Sequence, residues 1–162
     1  MRIATWNVNS IRQRIAHLLR WLEEASPDVV CLQELKCTDD AFPRLEVEGA
    51  GYHVETHGQK TFNGVAILSR SRPEEVTRGL AGDDADSHSR YLEAVIPAGS
   101  GVVRVASIYL PNGNPPQTDK YPYKLGFMER LLRHAKSLLR LEEPLVLAGA
   151  VQCTVAAVAG KT

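Results

Sequence analysis

Four apolar runs punctuate the chain, and three of them end in a polar side chain. Val29-Val30-Cys31-Leu32 follows Pro27-Asp28 and runs into Gln33 and Glu34. An unbroken apolar run bounded in this way fits a strand buried on both faces better than a half-exposed one. Ile3-Ala4-Thr5-Trp6 likewise runs into Asn7, and Val102-Val103-Arg104-Val105-Ala106-Ser107-Ile108 into Tyr109. The fourth run, Leu145-Val146-Leu147-Ala148-Gly149, ends in Ala150. Open α/β sheets gather their ligands beyond the carboxyl ends of strands. Asn7, Glu34 and Tyr109 are therefore the first candidates for a site, and Ala150 is where the pattern breaks.

The stretches between the runs supply the other elements. After a strand over residues 2–6, the short polar side chains of Asn7-Val8-Asn9-Ser10 suit the start of a helix, and Ile15, Leu18, Leu22 and Ala25 recur at three- and four-residue steps until Ser26-Pro27. The opening is a β-α-β unit. Residues 35–51 are irregular, with a short helix near 41–45. Residues 52–56 and 65–69 read as two strands joined by a polar turn that closes on Asn63-Gly64. The Gly, Asp and Ser of 78–89 predict a mobile surface loop. A strand pair over 91–96 and 102–110 follows, and then a rigid loop, Pro111-Asn112-Gly113-Asn114-Pro115-Pro116, outside the sheet. The longest helical pattern covers 118–141, with Leu125, Met128, Leu132, Ala135 and Leu139 on one face and Arg and Lys on the other. Beyond residue 150 all periodicity is lost.

Composition narrows the picture without deciding it. A chain of 162 residues fits one domain, a size at which roughly 70% of the unfolded surface is buried on folding. Nineteen basic and nineteen acidic residues cancel, which excludes a globally basic nucleic-acid binder but not a locally basic groove. Three irregularly spaced cysteines, no secretory segment and no apolar run near the ~20 residues of a membrane span predict a reduced, cytoplasmic protein with no membrane partner. Cys31 reads as core packing and Cys37 as a loop thiol. The five histidines read as surface or partly buried side chains.

Glu34 and Asn7 offer one carboxylate and one amide oxygen, enough for Mg²⁺ only if water and a substrate phosphate complete the shell. Phosphodiester chemistry would also need a base to orient water and donors for the developing charge. Tyr109 is such a donor. By spacing alone, capping groups and loop hydrogen bonds at strand ends are the favoured reading of the same residues.

The words of the sequence add more. Ile3-Ala4-Thr5-Trp6-Asn7-Val8-Asn9-Ser10-Ile11-Arg12, Pro27-Asp28-Val29-Val30-Cys31-Leu32-Gln33-Glu34-Leu35-Lys36, Asn63-Gly64-Val65-Ala66-Ile67-Leu68-Ser69-Arg70 and Tyr109-Leu110-Pro111-Asn112-Gly113 closely resemble successive motifs of the exonuclease III family of AP endonucleases, within the endonuclease/exonuclease/phosphatase superfamily. The stretch from Asp119 to Leu125 is similar too, and the resemblance runs from residue 1 to about 149 in the N-terminal part of the family's domain. It implies an α/β fold, one half of a four-layer α/β-sandwich with a mixed β-sheet and flanking helices, here truncated. One sheet would be retained and most of its partner lost, exposing a sheet face open to self-association.

The resemblance also implies roles. Asn7 and Glu34 match metal-site residues, Tyr109 an active-site tyrosine, and Asn112 a contact to DNA phosphate. Asn9, Arg12 and Lys36 lie inside matching motifs as weaker candidates for phosphate or metal-water contact. Lys60 and Phe62 fall in a turn that faces the DNA backbone, where contacts position a duplex without reading it. The implied substrate is double-stranded DNA with an abasic site or a 3′ end to be trimmed, cleaved by hydrolysis with Mg²⁺, or Mn²⁺ as the alternative ion.

One departure is severe. Where the family has Gly-Asp-Phe-Asn, this chain has Gly149-Ala150-Val151-Gln152. Ala150 has no carboxylate, and Gln152 is one methylene longer than the expected asparagine. Residues that act as a unit lose most of their effect together, so the chain is expected to be inactive or nearly so. Residues 1–149 are expected to form the family domain's N-terminal part and 150–162 a divergent, disordered tail. A one-base slip in codons for Val151, Gln152 and Cys153 would restore Phe-Asn. Two other functions stand beside the inactive nuclease fragment: a non-catalytic DNA- or protein-binding relic, and a phosphatase of small phosphorylated substrates.

Overall fold

The computed structural model describes residues 1–150. Strand β1 (Ile3–Asn7), helix α1 (Ile11–Ala25) and strand β2 (Val29–Gln33) form the expected opening, with β1 and β2 parallel. Helix α2 (Arg44–Gly49) follows, and β3 (His53–His57) and β4 (Val65–Ser69) complete a first sheet in the order β1-β2-β4-β3. The second sheet comprises β5 (Glu75–Arg78), β6 (Tyr91–Ala98), β7 (Gly101–Tyr109) and β8 (Leu145–Ala150), side by side in chain order. Helix α3 (Lys120–Leu139) crosses from β7 to β8, which pair in parallel. Among the described residues no helix is long and apolar enough to cross a membrane.

The doubly apolar runs have a simple cause. Successive side chains of a strand point to opposite faces. On β2, Val30 and Leu32 pack toward α1 and α2, while Val29 and Cys31 pack toward the second sheet. On β4, Ala66 and Leu68 take the first direction and Val65 and Ile67 the second. Between the sheets these residues meet Leu92, Ala94, Ile96 and Val105. One buried polar link crosses the same layer: Gln33, 1% exposed, donates from Nε2 to Thr5 Oγ1 at 3.1 Å and Ser107 Oγ at 3.0 Å, and Ser107 Oγ donates to the Leu32 carbonyl at 3.0 Å.

Several expectations are corrected. Mixed pairing with flanking helices is present, but among the described residues both sheets are represented and their inner faces pack on each other, so the chain does not keep one sheet and lose its partner. A stripe of exposed apolar side chains runs along α3, where Leu125, Met128, Leu132 and Leu139 are 44–64% exposed, and Leu147 of β8 is 40% exposed as well. The helix instead turns Phe127, Arg130 and Leu138 inward. Ser10 makes no side-chain cap at α1; its backbone N–H donates to the Glu34 carbonyl at 2.8 Å. The short helix lies at Arg44–Gly49 rather than 41–45, and β5 has no forerunner in the sequence reading. The loop read as mobile is docked: Ser89 N–H donates to Gln59 Oε1 at 3.0 Å, and Ser89 Oγ donates to the Gly58 carbonyl at 2.9 Å.

Candidate active site and groove

The carboxyl ends of β1, β2 and β7 meet as expected, and Asn7, Glu34 and Tyr109 come together there. Asn7 Nδ2 donates to Glu34 Oε1 at 2.7 Å, while Asn7 Oδ1 accepts from the Asn9 backbone N–H at 3.1 Å. Asn7 thus orients the carboxylate through its amide nitrogen. Lys36 Nζ lies 3.3 Å from Glu34 Oε2 and donates to Asn9 Oδ1 at 2.5 Å. The Tyr109 phenol lies beside this set, close enough to act on the Glu34 charge.

Electrostatics follow from this packing. Burial pushes the Glu34 carboxyl up, but hydrogen bonds from Asn7, Tyr109 and Lys36, with the Lys36 charge, outweigh it and hold the carboxyl below its ordinary value. The group is a carboxylate at neutral pH. Tyr109 moves the other way: burial and the bond to Glu34 raise its phenol above the ordinary value, and the Arg90 charge offsets this only in part. It is a protonated donor at neutral pH.

Glu34 also has a left-handed backbone, φ 56°, as do Asn9, Ser10, Lys36, Thr61 and Asn63 nearby. Non-glycine residues held there carry strain of about 1–3 kcal/mol each. Such strain persists where neighbours over-determine the conformation, and these residues cluster on one side of the site. Gly64, φ +86°, serves a packing need: a Cβ there would stand 2.9 Å from Leu35 Cβ.

A groove of about 660 Å³ opens above the cluster, with one wall from each sheet. The first sheet contributes Glu34, Lys36, Gln59, Phe62 and Asn63, and the second contributes His88, Arg90, Tyr109 and Asn112, continued by Lys120 and Tyr123. Of the sequence candidates, Lys36, Phe62 and Asn112 line it. Asn112 Oδ1 accepts from the Asn114 N–H at 3.0 Å. Lys60 and Arg12 are exposed but do not line it.

Sequence reasoning missed Arg90, whose guanidinium lies 4.9 Å over the Tyr109 ring and 5.8 Å from the Tyr123 ring. Its Nη1 donates to the Tyr109 carbonyl at 3.3 Å, and among the described residues its buried Nε has no partner. The signal was the basic residue directly before the apolar run Tyr91 to Ile96, hidden by the preceding loop. Lys120 and Tyr123 lay within a stretch already noticed for its resemblance.

Ala150 stands beside this cluster. It is in register with Tyr109 on the neighbouring strand, and by period two it shares the inter-sheet face of Val146 and Ala148. A methyl group occupies the place from which a longer side chain would reach the site. Gln152 and the rest of the expected tail lie outside the described residues.

Among the described residues no three His, Cys, Asp or Glu side chains gather as a metal cage. Glu34 alone suits Mg²⁺, which keeps several waters and takes one or two carboxylates plus phosphate oxygens.

Comparisons with known proteins agree with this geometry. The pattern of the Endonuclease/Exonuclease/phosphatase family matches residues 4–149. Exodeoxyribonuclease III of Haemophilus influenzae is 33% identical over 150 residues, covering 92% of this chain and 56% of that protein. An AP endonuclease from Archaeoglobus fulgidus has a TM-score of 0.84 at 38% identity, covering 92% of this chain and 56% of its own. A Neisseria 3′ phosphatase bound to a product DNA hairpin has a TM-score of 0.87 at 35% identity, covering 97% and 60%. The chain spans a little over half the length of each of these three proteins.

Proposed function

This chain belongs to the endonuclease/exonuclease/phosphatase family, and from that premise we propose that its groove is built to hold the backbone of double-stranded DNA at an abasic site or a 3′ end. The chemistry of such a groove is Mg²⁺-dependent phosphodiester hydrolysis in DNA repair. The observation that carries this reading is the Glu34 carboxylate, held by Asn7 and Lys36 beside Tyr109, in a groove with cations on both walls. Lys36, Arg90 and Lys120 attract phosphate without reading bases, and Asn112 adds an amide at the rim. Glu34 would hold Mg²⁺, which supplies charge neutralisation at phosphate and an activated water. The Tyr109 phenol remains a proton donor beside the phosphate.

The same geometry argues for weak catalysis by this chain. Among the described residues Glu34 is the one carboxylate in the cluster, and Ala150 offers neither metal ligand nor water-orienting group. Binding is therefore expected to outlast turnover, which favours a DNA-binding relic over an efficient nuclease.

The test is incubation of a duplex oligonucleotide carrying one abasic site with Mg²⁺ or EDTA. The chain as written should bind the duplex with a strong salt dependence and cut it negligibly. Salt-independent or absent binding would sink the groove assignment. Mg²⁺-dependent cutting abolished by Glu34→Ala would overturn the claim of weak catalysis. Ala150→Asp should raise Mg²⁺ affinity, read by calorimetry in the absence of DNA.

A further inference from the structure

The loop between β5 and β6 contains a carboxylate that the proposed chemistry does not use. Asp86, with a side chain only 7% exposed, receives Arg130 Nη2 of α3 at 2.5 Å. It also accepts from the Tyr123 hydroxyl at 3.0 and 3.1 Å and from the His88 backbone N–H at 3.1 Å, and it lies 2.9 Å from His88 Nδ1. An ordinary loop fastener needs one such contact. This one gathers three side chains, and two of them, His88 and Tyr123, line the groove.

We propose that Asp86 is a positioning residue for the groove, acting through Tyr123 to fix the Arg90 guanidinium over Tyr109. The claim rests on the phosphodiester reading, because it assigns Asp86 a place in binding the backbone. With its hydroxyl held by Asp86, the Tyr123 ring stands 5.1 Å from His88, 6.4 Å from Phe127 and 5.8 Å from Arg90. Arg90 therefore stands within cation–π reach of two tyrosine rings, of Tyr109 and Tyr123. A guanidinium fixed in this way loses less freedom when it meets a phosphate than one that must be ordered on binding. Hydrogen bonds from Arg130 to Asp86 and from Tyr123 to Asp86, and cation–π approaches of Arg90 to Tyr123 and Tyr109, link α3 to the site.

A purely structural role makes a different prediction. A fastener needs Arg130 but not the Tyr123 hydroxyl, and its loss would weaken folding without regard to Arg90. Positioning requires the hydroxyl, and its effect disappears once Arg90 is gone. The contact has an electrostatic consequence at Tyr123: burial, then the bond to Asp86, push its phenol up to about 12.

The experiment compares Asp86→Ala, Asp86→Asn, Tyr123→Phe, Arg90→Ala and the double variant Asp86→Ala/Arg90→Ala. Affinity for a duplex containing an abasic-site analogue is measured against salt, and tyrosine ionisation is followed by absorbance. Asp86→Ala and Tyr123→Phe should each weaken binding about tenfold, the size expected for one charge-assisted contact. Asp86→Asn, which still accepts from the hydroxyl, should recover most of the loss. The double variant should bind no worse than Arg90→Ala, and Asp86→Ala should move Tyr123 back toward an ordinary phenol.

Losses that multiply in the double variant, or normal binding by Tyr123→Phe, would overturn the proposal. Should Asp86→Ala not fold, Asp86→Asn and Tyr123→Phe still decide it. Absence of binding by the unmodified chain would overturn the phosphodiester reading. A Tyr123 titration unmoved by Asp86→Ala would overturn the positioning role alone.

Discussion

Helices α1 and α3 follow the same connection, each crossing between two parallel strands, yet they are held to their sheets by different forces. Helix α1 docks through apolar side chains: Ile11, Leu18 and Leu22 are at most 1% exposed, with Trp6, Ile15 and Leu19 around them. Helix α3 buries Phe127 and Leu138 but spaces them with charged and polar anchors. Arg130 donates to Asp86 and the Leu80 carbonyl, and Tyr123 donates to Asp86. His134 Nε2 lies 2.8 Å from Glu93, which also receives Arg104 Nη1 at 2.8 Å and the Tyr91 hydroxyl at 2.5 Å. Hydrophobic docking is non-directional and insensitive to charge. Docking through buried ions is specific in geometry but depends on every partner keeping its charge.

The contrast can be broken most directly at Glu93. Glu93→Ala leaves Arg104 without its buried partner and removes the acceptor of His134. It should cost about 3–5 kcal/mol, with hydrogen exchange showing α3 opening while α1 stays protected. Leu18→Ala is the reciprocal change, expected to cost about 2–5 kcal/mol by transfer and cavity terms. Its denaturation midpoint should hardly respond to salt.

Acid should divide the two helices at smaller cost. Burial raises the Asp86 carboxyl, but hydrogen bonds from Arg130, His88 and Tyr123 win and hold it at about 2. A depressed carboxylate stabilises the folded state above its unfolded value, near 4, and that contribution fades as pH falls toward 2. Glu93 is lowered as well: burial raises it, and bonds from Tyr91, His134 and Arg104 overcome that. Together they should loosen α3 below about pH 4, with Asp86 contributing about 1–2 kcal/mol. Resonances of α1 that shift first in an acid titration would contradict this ordering. The smallest effect is expected at Leu132, 57% exposed: Leu132→Ala should change stability by no more than about 0.5 kcal/mol. A loss near that of Leu18→Ala would show that the outer stripe of α3 is covered in solution.

The same contrast explains what could be read in advance. The strands β2 and β4 were legible because an uninterrupted apolar run has one comfortable place, between two covered faces. The three polar strand ends were legible because strand polarity alone puts them together. Helix α3 was legible as a helix but not in its orientation. It has two apolar stripes, and the more regular one, from Leu125 to Leu139, faces outward, while the inward one is interrupted by Arg130 and His134. Strand β5 has a single half-buried apolar residue, Val76, and is held by edge pairing to β6. The loop before β6 was misread because its composition is that of a turn, whereas Asp86 finds its partners 37 and 44 residues further along. Arg90 was hidden for the same reason. Local pattern identifies where chain segments lie, and distant partners decide which polar residues they hold still.

The link from Gln33 to Ser107 has a mechanical meaning. Each wall of the groove belongs to a different sheet, so its width is set by how far one sheet slides or tilts against the other. Apolar side chains alone would tolerate such slip with little loss. Directional hydrogen bonds at 3.0 Å, one residue before Glu34 and two before Tyr109, do not. They act as a pin through two plates next to the jaws of a caliper. A Gln33→Leu chain would keep its fold and its cations while losing the fixed gap, and two spin labels placed across the groove would report a broadened distance distribution.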